Sequence, residues 1–240
     1  EIFTGARTAE RLYFLDECRK IAPVHVSTDD GSEGFHGFVT QLLREYLQQL
    51  PPAERKNLIF YNCGPSPMVR AAVAVETLKP THPRIAVLDI DVHHGNGTQA
   101  IFYDRADVLT VSVHADPTSY YPFFVGYAHE AGSGAGEGHN VNFPLPRTTT
   151  DEVWLETIAE GLRAIAAFEP GALMLSLGLD AHEKDPLMGM QISWDGFRRA
   201  GEMIAAAGYP TVIVQEGGYL SEDLTTSLVS FMNGFLGRDA

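Results

Sequence analysis

Within the run AVLDIDVHHGNG, Ala86 to Gly97, two carboxylates and an imidazole follow one another at alternate positions, Asp89, Asp91 and His93. Alternate residues of an extended strand share one face, so the run presents all three groups on the same side and then meets glycines, where the chain turns. Two carboxylates on one buried face repel each other and lose their hydration, and a bound cation resolves both problems. Two other apolar runs end in comparable chemistry: LSLGLDAH delivers Asp180 and VIVQEGGY delivers Tyr219. One imidazole and two carboxylates suit a catalytic Zn²⁺ that keeps a position open for water. Asp91, His93 and Asp180 are therefore the expected ligands, a set that also tolerates Fe²⁺ and Co²⁺.

These groups need strands that end at one edge. Six short apolar runs qualify, PVHVST, NLIFYNC, RIAVLDIDV, DVLTVSV, ALMLSLG and TVIVQEG. Helical periodicity lies between them, near residues 7–21, 36–50, 66–78, 151–168, 194–207 and 221–236. Strands apolar on both faces and alternating with helices predict an α/β fold, a three-layer αβα sandwich with a mostly parallel sheet. In such sheets ligands bind at the carboxyl edge, where the acids fall. The non-periodic stretch 114–150, rich in Gly, Pro, Tyr and Phe, reads as a long loop lining that edge.

Composition narrows the partners. The 240 residues, 45% of them hydrophobic, can bury a sizeable core. Seventeen Lys+Arg against 31 Asp+Glu leave a net charge of −14 with no basic cluster, which disfavours nucleic acid. Two cysteines, Cys18 and Cys63, are too few for a disulfide scaffold. No apolar run approaches the ~20 residues needed to cross a bilayer, and the sequence opens at Glu1 without a signal peptide. No membrane association and a cytoplasmic setting are expected.

From about Arg84 to Gly237 the chain resembles the second half of a zinc-dependent deacetylase of the arginase/deacetylase fold. The segments DIDVHHGNGTQ, LTVSVHAD, SLGLDAHEKDPL and EGGY carry the likeness, and HADPTSYYPFFVGYAHEAGSGAGEGHNVNFPLP is most similar to the acetylpolyamine amidohydrolase branch. The resemblance implies zinc on Asp91, His93 and Asp180, and a Tyr219 hydroxyl that polarises the scissile carbonyl. It implies a K⁺ or Na⁺ held by Asp89, Ser112 and the backbone carbonyls of Asp91, His93 and Val113. The substrate it implies is a small acetylated amine. It also implies a general base made of two adjacent histidines in the first half of the fold, yet the histidines preceding His93 are His25, His36 and His82, none adjacent to another.

Residues 1–79 resemble something else. GARTAERLYFLDE, VHVSTDDGSEGFHGFVTQLL and LIFYNCGPSPMVRAA are similar to the nicotinamide-dinucleotide module of ferredoxin-reductase-like proteins, the dihydroorotate dehydrogenase electron-transfer subunit above all. The flavin domain, the first glycine-rich loop and the cysteines for an iron-sulfur cluster are missing from that likeness. The chain thus reads as a chimera, engineered or selected, with a nucleotide-module-like segment (1–79) and a deacetylase-like segment (80–240) sharing one sheet in a single α/β domain. Three functions follow: a working zinc amidohydrolase in which Asp29, Asp30, His36 or Cys63 replaces the lost base, a metal-binding chimera whose catalysis is weak or lost for want of that base, or a dinucleotide-binding or electron-transfer module.

Overall fold

The computed structural model of the chain describes residues 2–6, 8–12, 15–37, 39–51, 60–62 and 67–238. They belong to two compact units, Glu1–Leu58 and Ile59–Ala240.

The first unit holds β1 (Ile2–Ala6), a 3₁₀ turn (Ala9–Arg11), α1 (Leu15–Ile21), β2 (Val24–Thr28), β3 (Phe35–His36) and α2 (Val39–Gln49). Its strands form a parallel sheet in the order β1-β2-β3. Phe3 and His25 are register neighbours and stack with ring centroids 4.4 Å apart, while the Tyr46 ring closes on both at 5.0 Å. The DDGSEG turn satisfies itself. Thr28 Oγ1 donates to the Glu33 carbonyl and accepts its N–H, and Asp30 accepts from the Ser32 N–H and hydroxyl. Gly34 must be glycine: φ is +68°, and a Cβ would fall 2.2 Å from the Val26 carbonyl oxygen.

The second unit contains β4 (Phe60–Asn62), α3 (Pro67–Leu78), β5 (Ile85–Asp89), α4 (Asn96–Phe102), β6 (Val108–Ala115), a 3₁₀ turn (Gly134–Gly136) and β7 (Asn140–Leu145). After these come α5 (Asp151–Phe168), β8 (Ala172–Leu177), α6 (Trp194–Ala206), β9 (Thr211–Gln215) and α7 (Leu224–Leu236). Its six strands are parallel in the order β4-β9-β8-β5-β6-β7. Alternation along β5 gives the sheet two apolar faces. Ala86 and Leu88 pack with Trp154, Ile158, Phe197 and Phe231 from α5, α6 and α7, whereas Ile85 and Val87 pack with Val75 and Phe102 from α3 and α4. The unit is thus the expected αβα sandwich.

Three expectations change. The described strands make two sheets, not one. The break in contacts falls after Leu58 rather than after residue 79, because β4 joins the larger sheet through Phe60↔Val212 to Asn62↔Val214 and Val75 of α3 is buried in that sheet's core. Third, the stretch 114–150 is not all loop: it contains β7, paired with β6 from Thr110↔Asn140 to Ala115↔Leu145.

Candidate metal centre

The β5 ladder ends at Asp89, so Asp91 and His93 lie in the turn beyond it rather than on the strand itself. What aligns them is a relay of side chain to backbone bonds. Asp89 Oδ1 accepts from the Asp91 N–H at 3.0 Å, and Asp91 Oδ1 accepts from the His93 N–H at 2.8 Å. Short acidic side chains favour such bonds two residues ahead. Asp180, past the end of β8, reaches across to the Val92 N–H at 3.1 Å. His93 Nδ1 then sits 3.1 Å from both Asp91 Oδ1 and Asp180 Oδ2. One ligand atom from each of the three residues lies within 4.8 Å of the others, so the structure brings the predicted set together.

The electrostatics of this corner call for positive charge. Burial raises the Asp89 carboxyl far above the usual carboxylate range, and the charges of Glu216, Asp91 and Asp180 add to it. Burial and Asp91 push Asp180 up to about 7, against the pull of His93. For His93, burial works to lower the pKa, yet its hydrogen bonds to Asp180 and Asp91 carry it up to about 10. Four carboxylates thus face one imidazole. A donor set of hard oxygens with one nitrogen and surplus negative charge fits a divalent cation at Asp91, His93 and Asp180, and a second cation beside Asp89.

A cavity of about 280 Å³ opens over these groups, lined by Asp89, Asp91, His93, Glu216, Tyr121 and Tyr219 among others. Tyr219 follows Gly218, whose φ of +131° turns the chain out of β9. Its backbone N–H bonds Asp185 Oδ2 at 3.3 Å, and its ring stands edge-on to His93 with centroids 6.4 Å apart. Burial and the charges of Asp180, Asp91 and Asp185 hold the phenol pKa above its ordinary value, which keeps the proton on the hydroxyl as a donor requires.

Beneath the cavity lies a row that strand register dictates. Asp89 is flanked by Ser112 on β6 and Ser176 on β8. Ser112 Oγ lies 2.9 Å from His114 Nδ1, and His114 Nε2 lies 2.8 Å from the Gly126 carbonyl oxygen. Burial, with His94 beside it, brings His114 down to about 4, so this ring is neutral. Gln99 Oε1 gathers bonds from His94, Asn140 and Asn142, while Gln99 Nε2 donates to Glu130. His114, Gln99, Glu130 and Asp185 were not among the expected site residues. Only His114 carried a signal, its spacing of two from Ser112 on an apolar strand.

Of the candidate replacement bases, Asp29, Asp30 and His36 belong to the first unit, and Cys63 lies outside the described residues. Among the described residues, no helix is long and apolar enough to cross a membrane.

Comparison with known proteins agrees with the second unit. The histone deacetylase domain family matches residues 63–235, beginning upstream of the expected start near Arg84. An acetylpolyamine amidohydrolase of Burkholderia pseudomallei (strain 1710b) is 48% identical over 165 residues, 69% of this chain and 48% of the relative. One from Mycoplana ramosa is 42% identical over 168 residues, 70% and 49% of the two chains. The crystal structure of acetylpolyamine aminohydrolase from Burkholderia pseudomallei superposes with a TM-score of 0.67 at 48% identity, covering 69% of this chain and 48% of that one. An HDAC homolog from Aquifex aeolicus gives 0.67 at 32% identity, over 70% and 46%. The chain spans about half the length of the curated relatives it matches, and the dinucleotide-module likeness of the first 79 residues gains no support from these matches. A family match over most of the sequence, on the fold and around the site just described, places the chain in the histone deacetylase family, with acetylpolyamine amidohydrolases among its near relatives.

Proposed function

We propose that the chain carries the metal-binding half of a zinc-dependent amidohydrolase whose substrates are small acetylated amines such as acetylpolyamines. The observation that carries this reading is the convergence of Asp91, His93 and Asp180 within 4.8 Å, the first two lining a cavity that Tyr219 borders. Zinc bound there supplies Lewis acidity to a carbonyl and acidifies a water. The protein's own part is threefold. Asp91 and Asp180 are held by the N–H groups of Gly217 and Val92, so their free lone pairs are already aimed. Tyr219 offers a protonated hydroxyl to the oxyanion that develops on the acyl oxygen. Tyr121, 57% exposed, presents apolar surface to the stem of the substrate, and the buried Tyr120, stacked on His93 at 5.1 Å, braces the imidazole.

Asp89 and Ser112, with the backbone carbonyls of Asp91, His93 and Val113, hold K⁺ or Na⁺ in this reading. The surplus of buried carboxylates supports it. The proton acceptor is the weak point, because the expected pair of adjacent histidines has no counterpart ahead of His93, and loss of a general base typically costs ~10²–10⁴-fold. Turnover should therefore be slow. We read the first unit as derived from a dinucleotide-binding module, on the strength of its DDGSEG turn and parallel sheet, and the whole as a chimera. Zinc content after desalting, acetylputrescine turnover and a titration with NADH separate the readings: zinc with turnover supports the hydrolase, zinc alone a non-catalytic metal protein, and NADH binding an active first unit.

A further inference from the structure

We propose that His114 is a positioning residue that fixes the Ser112 hydroxyl so that its lone pairs are presented to a monovalent cation beside Asp89. The inference rests on the reading of Asp89 and Ser112 as cation ligands and goes beyond it, because His114 has no place in that ligand set.

Hydrogen-bond polarity carries the argument. Gly126 offers His114 a carbonyl, which can only accept, so Nε2 must bear the ring hydrogen across the 2.8 Å contact. In a ring with no exposed surface, Nδ1 is then a bare acceptor. Ser112 Oγ, 2.9 Å away, must donate to it, and a hydroxyl whose single hydrogen is spent this way presents only lone pairs elsewhere. Ser112 and His114 are two apart on β6 and share a face, and the same register sets Ser112 directly beside Asp89. Without the imidazole, the most favourable acceptor for the hydroxyl is the Asp89 carboxylate itself. The hydrogen would then point into the space a cation needs.

The support behind the imidazole is equally specific. Gly126 has φ +109°, and a Cβ there would lie 2.7 Å from His94 Cγ and 2.9 Å from His114 Nε2, so only glycine lets the carbonyl approach. Glu130 Oε2 accepts the Gly126 N–H at 2.9 Å and ties the turn to Gln99 at 2.7 Å. The tautomer of His114 is thus set by a backbone group that is itself held in place.

The test is K⁺-dependent stability of the full chain, read as the rise of the thermal unfolding midpoint in KCl over tetramethylammonium chloride at equal ionic strength. A ligand that binds only the folded state raises that midpoint with its concentration. His114→Phe should raise the half-saturating K⁺ concentration roughly three- to tenfold, the weight of one ordinary hydrogen bond, and Ser112→Ala by at least as much. If His114 acts through the hydroxyl, adding His114→Phe to Ser112→Ala should weaken K⁺ no further, because coupled residues are non-additive; a merely structural role would add in full. His114→Asn, which is smaller and keeps a polar side chain, serves in the same cycle should the Phe variant not fold. Wild-type K⁺ dependence retained in the His114 variants, or full additivity, overturns the proposal while leaving the cation site standing. A wild-type midpoint indifferent to K⁺ overturns both.

Discussion

The backbone N–H of Gly217 donates to Asp91 Oδ2 at 2.7 Å, joining the end of β9 to the turn after β5. A Cβ at Gly217 would lie 2.3 Å from that oxygen and 2.1 Å from Asp180 Oδ2. Gly217→Ala should therefore push both carboxylates apart and lower zinc stoichiometry to below a tenth of wild type. Metal analysis after desalting reads it, and unchanged zinc content would refute the placement of the site.

Removing a ligand should act differently from crowding it. Asp180→Asn keeps the shape but loses the anionic donor, so zinc should no longer stabilise the fold. For wild type, zinc at about 1,000 times its dissociation constant adds roughly 4 kcal/mol. The gain in unfolding midpoint on zinc addition should vanish in the variant, while the midpoint in chelator stays close to the wild-type value. A persistent zinc-dependent gain would point to other ligands.

Tyr219→Phe leaves the metal corner intact. Loss of one donor to a developing oxyanion typically lowers turnover by ~10²–10³, so kcat on acetylputrescine should fall by that factor with zinc content unchanged. A drop in zinc content parallel to the drop in rate would instead assign the tyrosine a structural role.

In the metal-free protein, acidification acts in two directions: the raised carboxyls of Asp89 and Asp180 take up protons in the folded state and gain stability as pH falls towards 4, and the buried His114 opposes them. His114 is depressed to about 4 from 6.5, so between those values the unfolded chain binds a proton that the folded chain refuses. Stability contributed by the neutral ring is complete above pH 6.5 and is lost as pH falls towards 4, by ~3 kcal/mol at most. His94, lowered by burial, acts in the same direction. Urea unfolding in chelator between pH 7 and 4, compared for wild type and His114→Phe, isolates this loss: relative to wild type, the variant should gain stability as pH falls from 6.5 towards 4, and an identical pH dependence in both proteins would contradict a neutral His114.

Much of the second unit was legible because buried parallel strands are continuous apolar runs: the runs around β4, β5, β6, β8 and β9 all match. Helix α5 matches to the residue, since its apolar spacing is bounded by Thr150 before it and Pro170 after it. The misses share a cause. Strand β7 reads NVNFPL, with a proline and two asparagines, a composition that only a sheet edge tolerates, and edge strands lack the apolar signal. Helix α4 has seven residues and starts among glycines, too short to show a period. The cluster of Asp91, His93 and Asp180 was legible because burying acids together is unfavourable enough to demand an explanation. Gln99 was not: an amide on a short helix looks ordinary until three donors converge on its oxygen. Nor does a strand's pattern name its partner, which is why a single sheet was expected where the described strands form two.

The strand order β4-β9-β8-β5-β6-β7 has a further consequence, visible in amide deuterium exchange. Strands β5 and β8 sit inside the sheet, with neighbours on both sides, and their amides should surrender hydrogen only when the unit opens globally. Asp91 and Asp180 hang from the ends of these two strands. Tyr219 hangs from β9, whose outer neighbour is a strand of three residues, and its surroundings should exchange through local opening. The corner proposed to grip a cation is built on the slowest part of the sheet, and the tyrosine proposed to face the substrate on a part that breathes.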